Sequence, residues 1–324
     1  MATEQKIQAI LVETEKVIKG KRQVLEKVLM AILAGGNVLM EDVPGVGKTT
    51  LALALSKVLG LEYKRIQFTP DVVPADIIGF TMYDKKSGTF QYKEGIATQC
   101  NMLLADEVNR TASKTQSALL EVMEEKQVTV DGYTYKVKDP FIVIATQNPA
   151  GTVGTQKLPQ AQLDRFLVRL AMGYPDLDMQ MEILRDRQQG DPLQEIKNIV
   201  SLTDVLKLQQ QVASVFTSDE ILLYLSRLAE QSREHEMLSL GLSPRGVIAL
   251  HKMARACAFM KGRDYVVPED IQDIFFDVCS HRITVNAKGK MAEKKENDIL
   301  TEIFDSVTPE PELERKRKEK IRNA

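Results

Sequence analysis

The chain has 324 residues, 27% of them charged, with Lys plus Arg of 43 against Asp plus Glu of 45 and a formal net charge of −2. That length gives room for two domains and a sizeable core, and the balanced charge argues against a globally basic, nucleic-acid-binding protein. Cys100, Cys257 and Cys279 are widely spaced, with no CxxC pair and no neighbouring histidine cluster, so neither a disulfide framework nor a zinc site is expected. The opening MATEQKIQAILVETEKV lacks the basic-then-apolar order of a signal peptide, and the best apolar run breaks at Gly35, Gly36 and Asn37. A soluble cytoplasmic protein without membrane insertion is the expectation.

In chain order, Ile7, Ile10, Leu11, Thr14, Val17 and Ile18 form one helical face, and Val24, Leu25, Val28, Leu29, Ile32 and Leu33 a second beyond Gly20. Val38 to Met40 read as a short buried strand, Pro44 to Gly47 as a tight glycine loop, and Lys48 onward as a helix with Leu51, Ala52 and Leu55 inward. Tyr63 to Phe68 alternates like a strand. GFTMYDKKSGTFQY, Gly79 to Tyr92, reads as a hairpin about a Lys-Lys-Ser-Gly turn. Met102 to Ala105 predict a buried strand ending in Asp106 and Glu107, and Ser113 to Glu125 a helix. Asp131-Gly132 inside QVTVDGYTYKV is the strongest short-range hairpin signal. Phe141 to Ala145 is an apolar strand ending in Thr146, Gln147, Asn148 and Pro149, and LPQAQLDRFLVRL places Arg165 at the end of a helical segment. From Asp176 the pattern is helical over Met181 to Arg187, Leu202 to Val215, Asp219 to Arg233, Pro244 to Met260 and Pro268 to Val278. Ser218 and Ser243-Pro244 supply helix starts. His235, His251 and His281 are too dispersed for a metal site, and the terminal ERKRKEKIRN is a basic run whose default is a solvated, frayed helix.

Strand, glycine loop and helix in that order suit a polyphosphate, because the loop's N–H groups and the helix N-terminus converge on it. Lys48 would then reach the β- and γ-phosphates and Thr49 a Mg²⁺ ion. In the strict pattern G-x-x-x-x-G-K-[ST] the first glycine falls on Asp42, which is expected at the mouth of the loop. A glycine turn before a surface helix is the plainer alternative. Asp106 and Glu107 could hold the metal shell and polarise a water, or simply mark a strand exit. Their position after a phosphate loop and an intervening strand favours the first reading. Asn148 could contact both phosphate and water, or cap a helix. Arg165 by itself reads as a solvated or salt-bridged surface residue.

Gly45 to Thr50, Leu103 to Arg110, Ala145 to Pro149 and Leu158 to Leu167 together resemble the ordered motifs of an AAA+ ATPase, and within it the MoxR family. FTPDVVPADIIG, LLADEVNRTASKTQSALLEVMEE, LPQAQLDRF and LSPRGVIAL carry the detailed likeness, which extends to about Pro309. Gly95-Ile96-Ala97-Thr98 departs from the family's Gly-Pro-Ile-Phe type segment, and Ala150 to Lys157 lacks the acidic residues often found there.

The resemblance implies an α/β fold: a parallel-sheet P-loop core over 1–174 with two hairpin inserts, an all-helical lid over 175–309, and a charged tail over 310–324. It implies that Pro44, Gly45, Val46, Gly47, Lys48, Thr49 and Thr50 hold ATP, with Val17, Ile18 and Gly20 lining the adenine pocket. Thr49 and Asp106 would serve Mg²⁺, and Glu107 would be the base. Asn148 corresponds to sensor 1, Arg245 to sensor 2, and Arg165 to a finger entering a neighbouring subunit. The two hairpins correspond to the helix-2 and pre-sensor-1 inserts. The implied biology is a ring, taken as a hexamer, that remodels protein clients or loads a metal cofactor, with von Willebrand factor A domain partners. The alternative is a nucleic-acid motor, against which the acidic Asp131-Gly132 tip argues.

Overall fold

The computed structural model describes residues 3–148 and 157–308. Pro149, most of the Ala150 to Lys157 stretch and the 310–324 tail therefore lie outside the described residues. Two compact units divide the chain, Met1–Gln210 and Gln211–Ala324.

The first unit opens with α1 (Thr3–Glu15) and α2 (Arg22–Leu33), which bury Ile7, Ile10, Leu11, Leu25, Val28 and Leu29 as their spacing requires. Next come β1 (Val38–Glu41), α3 (Lys48–Val58), β2 (Tyr63–Gln67), α4 (Pro74–Ile78) and the hairpin β3 (Gly79–Asp84) and β4 (Thr89–Glu94). There follow β5 (Met102–Asp106), α5 (Ser113–Glu125), the hairpin β6 (Gln127–Val130) and β7 (Tyr133–Lys136), and β8 (Ile142–Gln147). The unit continues through α6 (Gln160–Leu163), β9 (Val168–Leu170), α7 (Leu177–Gln189) and most of α8 (Leu202–Ala213). Both hairpins are antiparallel, and Asp131 and Gly132 at the second tip have φ of +50° and +82°, as a tight Asp-Gly turn demands.

One parallel sheet in the order β2-β5-β8-β1-β9 organises this unit. β5 and β8 are buried at every position, which explains their unbroken apolar runs. β2 lies at the edge and keeps Lys64 and Arg65 exposed, a charged rim suited to an unpaired edge. Because β5 and β8 stand between β2 and β1, the tips of β1, β5 and β8 are neighbours at the sheet's C-terminal edge. Ligands of open α/β sheets collect at such an edge.

LPQAQLDRFLVRL places Arg165 just past the end of a helical segment, the single turn α6, and β9 follows. The strand wins because Val168 to Leu170 pair with Val38 to Met40 while the Leu167 N–H donates to the Asn37 carbonyl at 2.8 Å, so the run completes a sheet edge. Asp42 stands at the mouth of the loop, directly after β1, and is buried there with its carboxylate committed to backbone. The structure also groups the segment after 175 with the first unit. The Lys197 N–H donates to Glu13, that of Ile199 to the Val58 carbonyl, and Lys57 Nζ to the Leu193 carbonyl.

The second unit is helical, with α9 (Asp219–Glu234), α10 (Pro244–Met260), α11 (Pro268–Cys279), α12 (Ala287–Met291) and α13 (Glu296–Ser306). A small antiparallel ladder joins β10 (Leu238–Leu240) to β11 (Thr284–Val285). Ser218 and Ser243 cap α9 and α10, accepting from Ile221 N–H at 3.5 Å and Gly246 N–H at 3.0 Å.

Candidate active site

The glycine loop leaves β1 and enters α3 with Gly45 at φ +85° and Gly47 at φ +98°. Side chains with a Cβ rarely adopt that left-handed region, so the loop needs glycine at both positions. No atom beyond their chain neighbours lies within 4 Å of a Cβ built on Gly45, so the space above the loop is open. Pro44 and Gly45 are exposed, while Val46, Thr49 and Thr50 are half-buried around the first turn of α3. Lys48 is buried, and its ammonium donates to the carbonyls of Asp42 at 2.6 Å and Val43 at 2.9 Å. Burial pushes the lysine's pKa down, against the opposing pull of Asp42, Asp106 and Glu107.

Asp42 explains why the loop tolerates a non-glycine there. One carboxylate oxygen accepts from the Met172 N–H at 2.7 Å and the Gly173 N–H at 2.6 Å, the other from Val43 N–H at 2.8 Å. The aspartate thus pins the segment leaving β9 beside the loop.

At the tip of β5 the two acids are held as a pair. The Thr146 hydroxyl, on β8, donates to Asp106 Oδ1 at 2.6 Å and accepts from the Glu107 N–H at 2.9 Å. Arg65 Nη2 donates to Asp106 Oδ2 at 2.6 Å. Glu107 is in the left-handed region at φ +57°, where its carboxylate receives Asn148 Nδ2 on Oε1 at 3.1 Å and Arg110 Nη1 on Oε2 at 2.7 Å. Asn109 Nδ2 donates to the Asn148 carbonyl at 3.3 Å. The structure therefore brings Asp106, Glu107 and Asn148 into one network, whose charge Lys48 feels. Thr146, Arg65, Arg110 and Asn109 belong to it without having been singled out in the sequence. Strand alternation placed Thr146 on the opposite face of β8 from Gln147, but which neighbour that face met depended on the sheet order.

Ile18 is buried, Val17 half-buried and Gly20 exposed beside Met179 of α7, whose Cγ would lie 2.6 Å from a Cβ at Gly20. Arg165 lies elsewhere in the unit. Its Nε pairs with Glu124 Oε2 at 3.3 Å, and it borders a cavity of about 470 Å³ between α5, β6 and α6 whose lining shares no residue with the loop or the acid pair. Arg245 is exposed in the first turn of α10, in the second unit.

Residues 37–168 match the model of the ATPase family associated with various cellular activities (AAA), and residues 230–303 match the AAA lid domain. Parallel sheet, glycine loop, paired acids and helical second unit define an AAA+ ATPase. The chain is 44% identical to the uncharacterized protein YeaC of Bacillus subtilis, covering 90% of this chain and 91% of that one. It is 36% identical to Chaperone MoxR1 of Mycobacterium tuberculosis over 93% of this chain and 81% of that one, and 27% identical to Protein MoxR of Methylorubrum extorquens, with 91% and 92% covered. The crystal structure of a putative ATPase from Cytophaga hutchinsonii superposes with a TM-score of 0.87 at 37% identity, covering 94% of this chain and 95% of that one. The chain belongs to the MoxR family of AAA+ ATPases. It binds nucleotide and hydrolyses ATP. Among the described residues, no helix is long and apolar enough to cross a membrane.

Proposed function

We propose that this protein is a cytoplasmic chaperone-type remodelling ATPase that works as a ring, taken as a hexamer, on protein clients. The observation that carries the proposal is the network of Asp106, Glu107, Thr146 and Asn148 at the sheet edge that also bears the glycine loop. ATP is the substrate, cradled by Pro44 to Thr50, with Lys48 on the phosphates and Val17, Ile18 and Gly20 beside the base. Thr49 and Asp106 offer the hard oxygen donors that Mg²⁺ takes. When bound, that ion neutralises charge on the β- and γ-phosphate oxygens. Glu107 polarises the attacking water and Asn148 orients it, each aimed by the other through their hydrogen bond. Arg165, set apart from its own loop, serves a neighbour's nucleotide, and Arg245 answers from the helical second unit.

The clients are activated, matured or loaded with a metal cofactor, and proteins with von Willebrand factor A domains are the proposed partners. The second hairpin supports a protein client over a nucleic acid, because its exposed tip carries Asp131 where a strand-tracking surface would carry cations. The first hairpin exposes Phe80, Met82, Tyr83 and Phe90 beside the lysines of its turn, an apolar surface that a protein client can meet. The test is Glu107→Gln. It should bind a fluorescent ATP analogue like the parent and lose about 10²-fold or more in phosphate release, whereas Lys48→Ala should weaken the binding itself. Undiminished turnover by Glu107→Gln would remove the assignment.

A further inference from the structure

Asp106 is nearly buried, its side chain 11% exposed, and both of its oxygens are occupied. Oδ1 takes the neutral Thr146 hydroxyl and Oδ2 takes Arg65 at 2.6 Å. Arg65 stands on β2 opposite Leu104, and Gln67, two residues on, stands opposite Asp106 itself. The same Nη2 that meets Asp106 also lies 2.8 Å from Gln67 Oε1. The arginine side chain is 46% exposed, so it has solvent to turn into and a second acceptor within reach.

A carboxylate this deep is costly without a cation, and a guanidinium, permanently charged and weakly hydrated, serves well as one. A divalent ion sharing Asp106 would meet that guanidinium as a like charge at contact distance. We propose that Arg65 is a surrogate for the metal: it neutralises Asp106 until a divalent cation arrives, then turns away into solvent, and so sets the metal concentration at which the site loads. The inference rests on the reading of Asp106 as a metal-shell residue. Arg65 is a positioning residue here and touches no substrate.

The probe is Mn²⁺, followed by electron paramagnetic resonance on the full chain with saturating ADP, with folding checked by circular dichroism. Arg65→Ala removes the competitor and should bind Mn²⁺ about three- to tenfold tighter, the scale of a half-exposed ion pair beside a buried carboxylate. Arg65→Lys, which keeps the charge, should stay near the parent. Added salt should narrow the gap between parent and Arg65→Ala, because the pair is open to solvent on one side. Arg65→Gln is read in the same way should the alanine variant fail to fold. Asp106→Asn separates the two layers of the argument: it should lose at least about tenfold in Mn²⁺ affinity. Retained affinity in Asp106→Asn would overturn the metal-shell reading. Weakened affinity there, together with unchanged or weaker Mn²⁺ binding in folded Arg65→Ala or Arg65→Gln, would overturn the surrogate role alone.

Discussion

Thr146 does more for the acid pair than its position in an apolar strand suggests. One hydroxyl donates to Asp106 and accepts from the Glu107 backbone, so it sets both where the first carboxylate points and where the second residue leaves the strand. Thr146→Val keeps the shape and removes both bonds. We expect steady-state kcat to fall by about tenfold or more with nucleotide affinity within about threefold of the parent, since a lost charge-assisted hydrogen bond is worth roughly 1.5–3 kcal/mol. Asp42 gives a second residue-scale prediction, with a sign opposite to the one a motif comparison suggests. Asp42→Gly restores the strict phosphate-loop pattern yet deletes the acceptor of Val43, Met172 and Gly173. Chemical denaturation should show a loss of about 2 kcal/mol or more, because buried N–H groups lose a charged partner.

The two hairpins are joined to each other as well as to the core. Tyr92 of β4 and Tyr135 of β7 stack with centroids 3.9 Å apart at 11°, and the Tyr92 hydroxyl donates to the Ile78 carbonyl at 2.6 Å. A double-mutant cycle with Tyr92→Phe and Tyr135→Ala should leave the hydroxyl and the stack separable. Tyr135→Ala is expected to cost about 1 kcal/mol and to raise hydrogen exchange in both hairpins together, whereas exchange rising in β6 and β7 alone would mean that the stack transmits nothing. The base of the first hairpin is tighter still. A Cβ at Gly95 would lie 2.2 Å from the Ile77 carbonyl oxygen and 2.3 Å from the Gly79 nitrogen, backbone atoms that cannot yield cheaply. The unusual Gly95-Ile96-Ala97-Thr98 segment thus begins with a residue the fold requires, and Ala97 behind it is fully buried.

At the scale of the whole chain, each unit has its own point of failure. In the second unit the fully buried Asp270 accepts from Arg263, Lys261 and the Val267 N–H. Burial alone would raise its carboxyl pKa, but these donors outweigh it and hold the group below the usual carboxylate range. Its folded-state pKa being depressed, the stabilisation is present above the unfolded value of about 3.9 and is lost as pH falls through the folded one. Asp270→Asn should cost about 1.5–3 kcal/mol at neutral pH, because Arg263 loses its charged acceptor while Lys261 keeps Asp273, and the remaining stability should depend less on pH below about 4. In the first unit, Arg165 and Lys48 occupy separate places, which makes sharing between subunits testable. Arg165→Ala and Lys48→Ala, each poorly active, should regain turnover when mixed and co-assembled, since some interfaces then pair an intact loop with an intact arginine. Co-assembled mixtures that stay inactive would return Arg165 to a structural role with Glu124.

The sequence by itself determined the strands β1, β5 and β8, both hairpins, the glycine loop and the residues at the strand tips. Each is written locally, in apolar runs, turn residues and motif spacing. The helix starts at Ser218 and Ser243 were legible for the same reason. Only the tertiary structure decided that LDRFLVRL leaves a single helical turn to become β9, because the free edge of β1 supplies hydrogen bonds that periodicity does not record. It alone decided that Asp42 is a buried clamp, that Thr146 and Arg65 reach Asp106 from the strands on either side, and that Arg110 and Asn148 divide the two oxygens of Glu107. Arg65, Thr146 and Asn148 stand 40 or 41 residues from the acids they reach, and only the β2-β5-β8-β1-β9 order brings them to one edge, whereas Arg110 reaches Glu107 from three residues on.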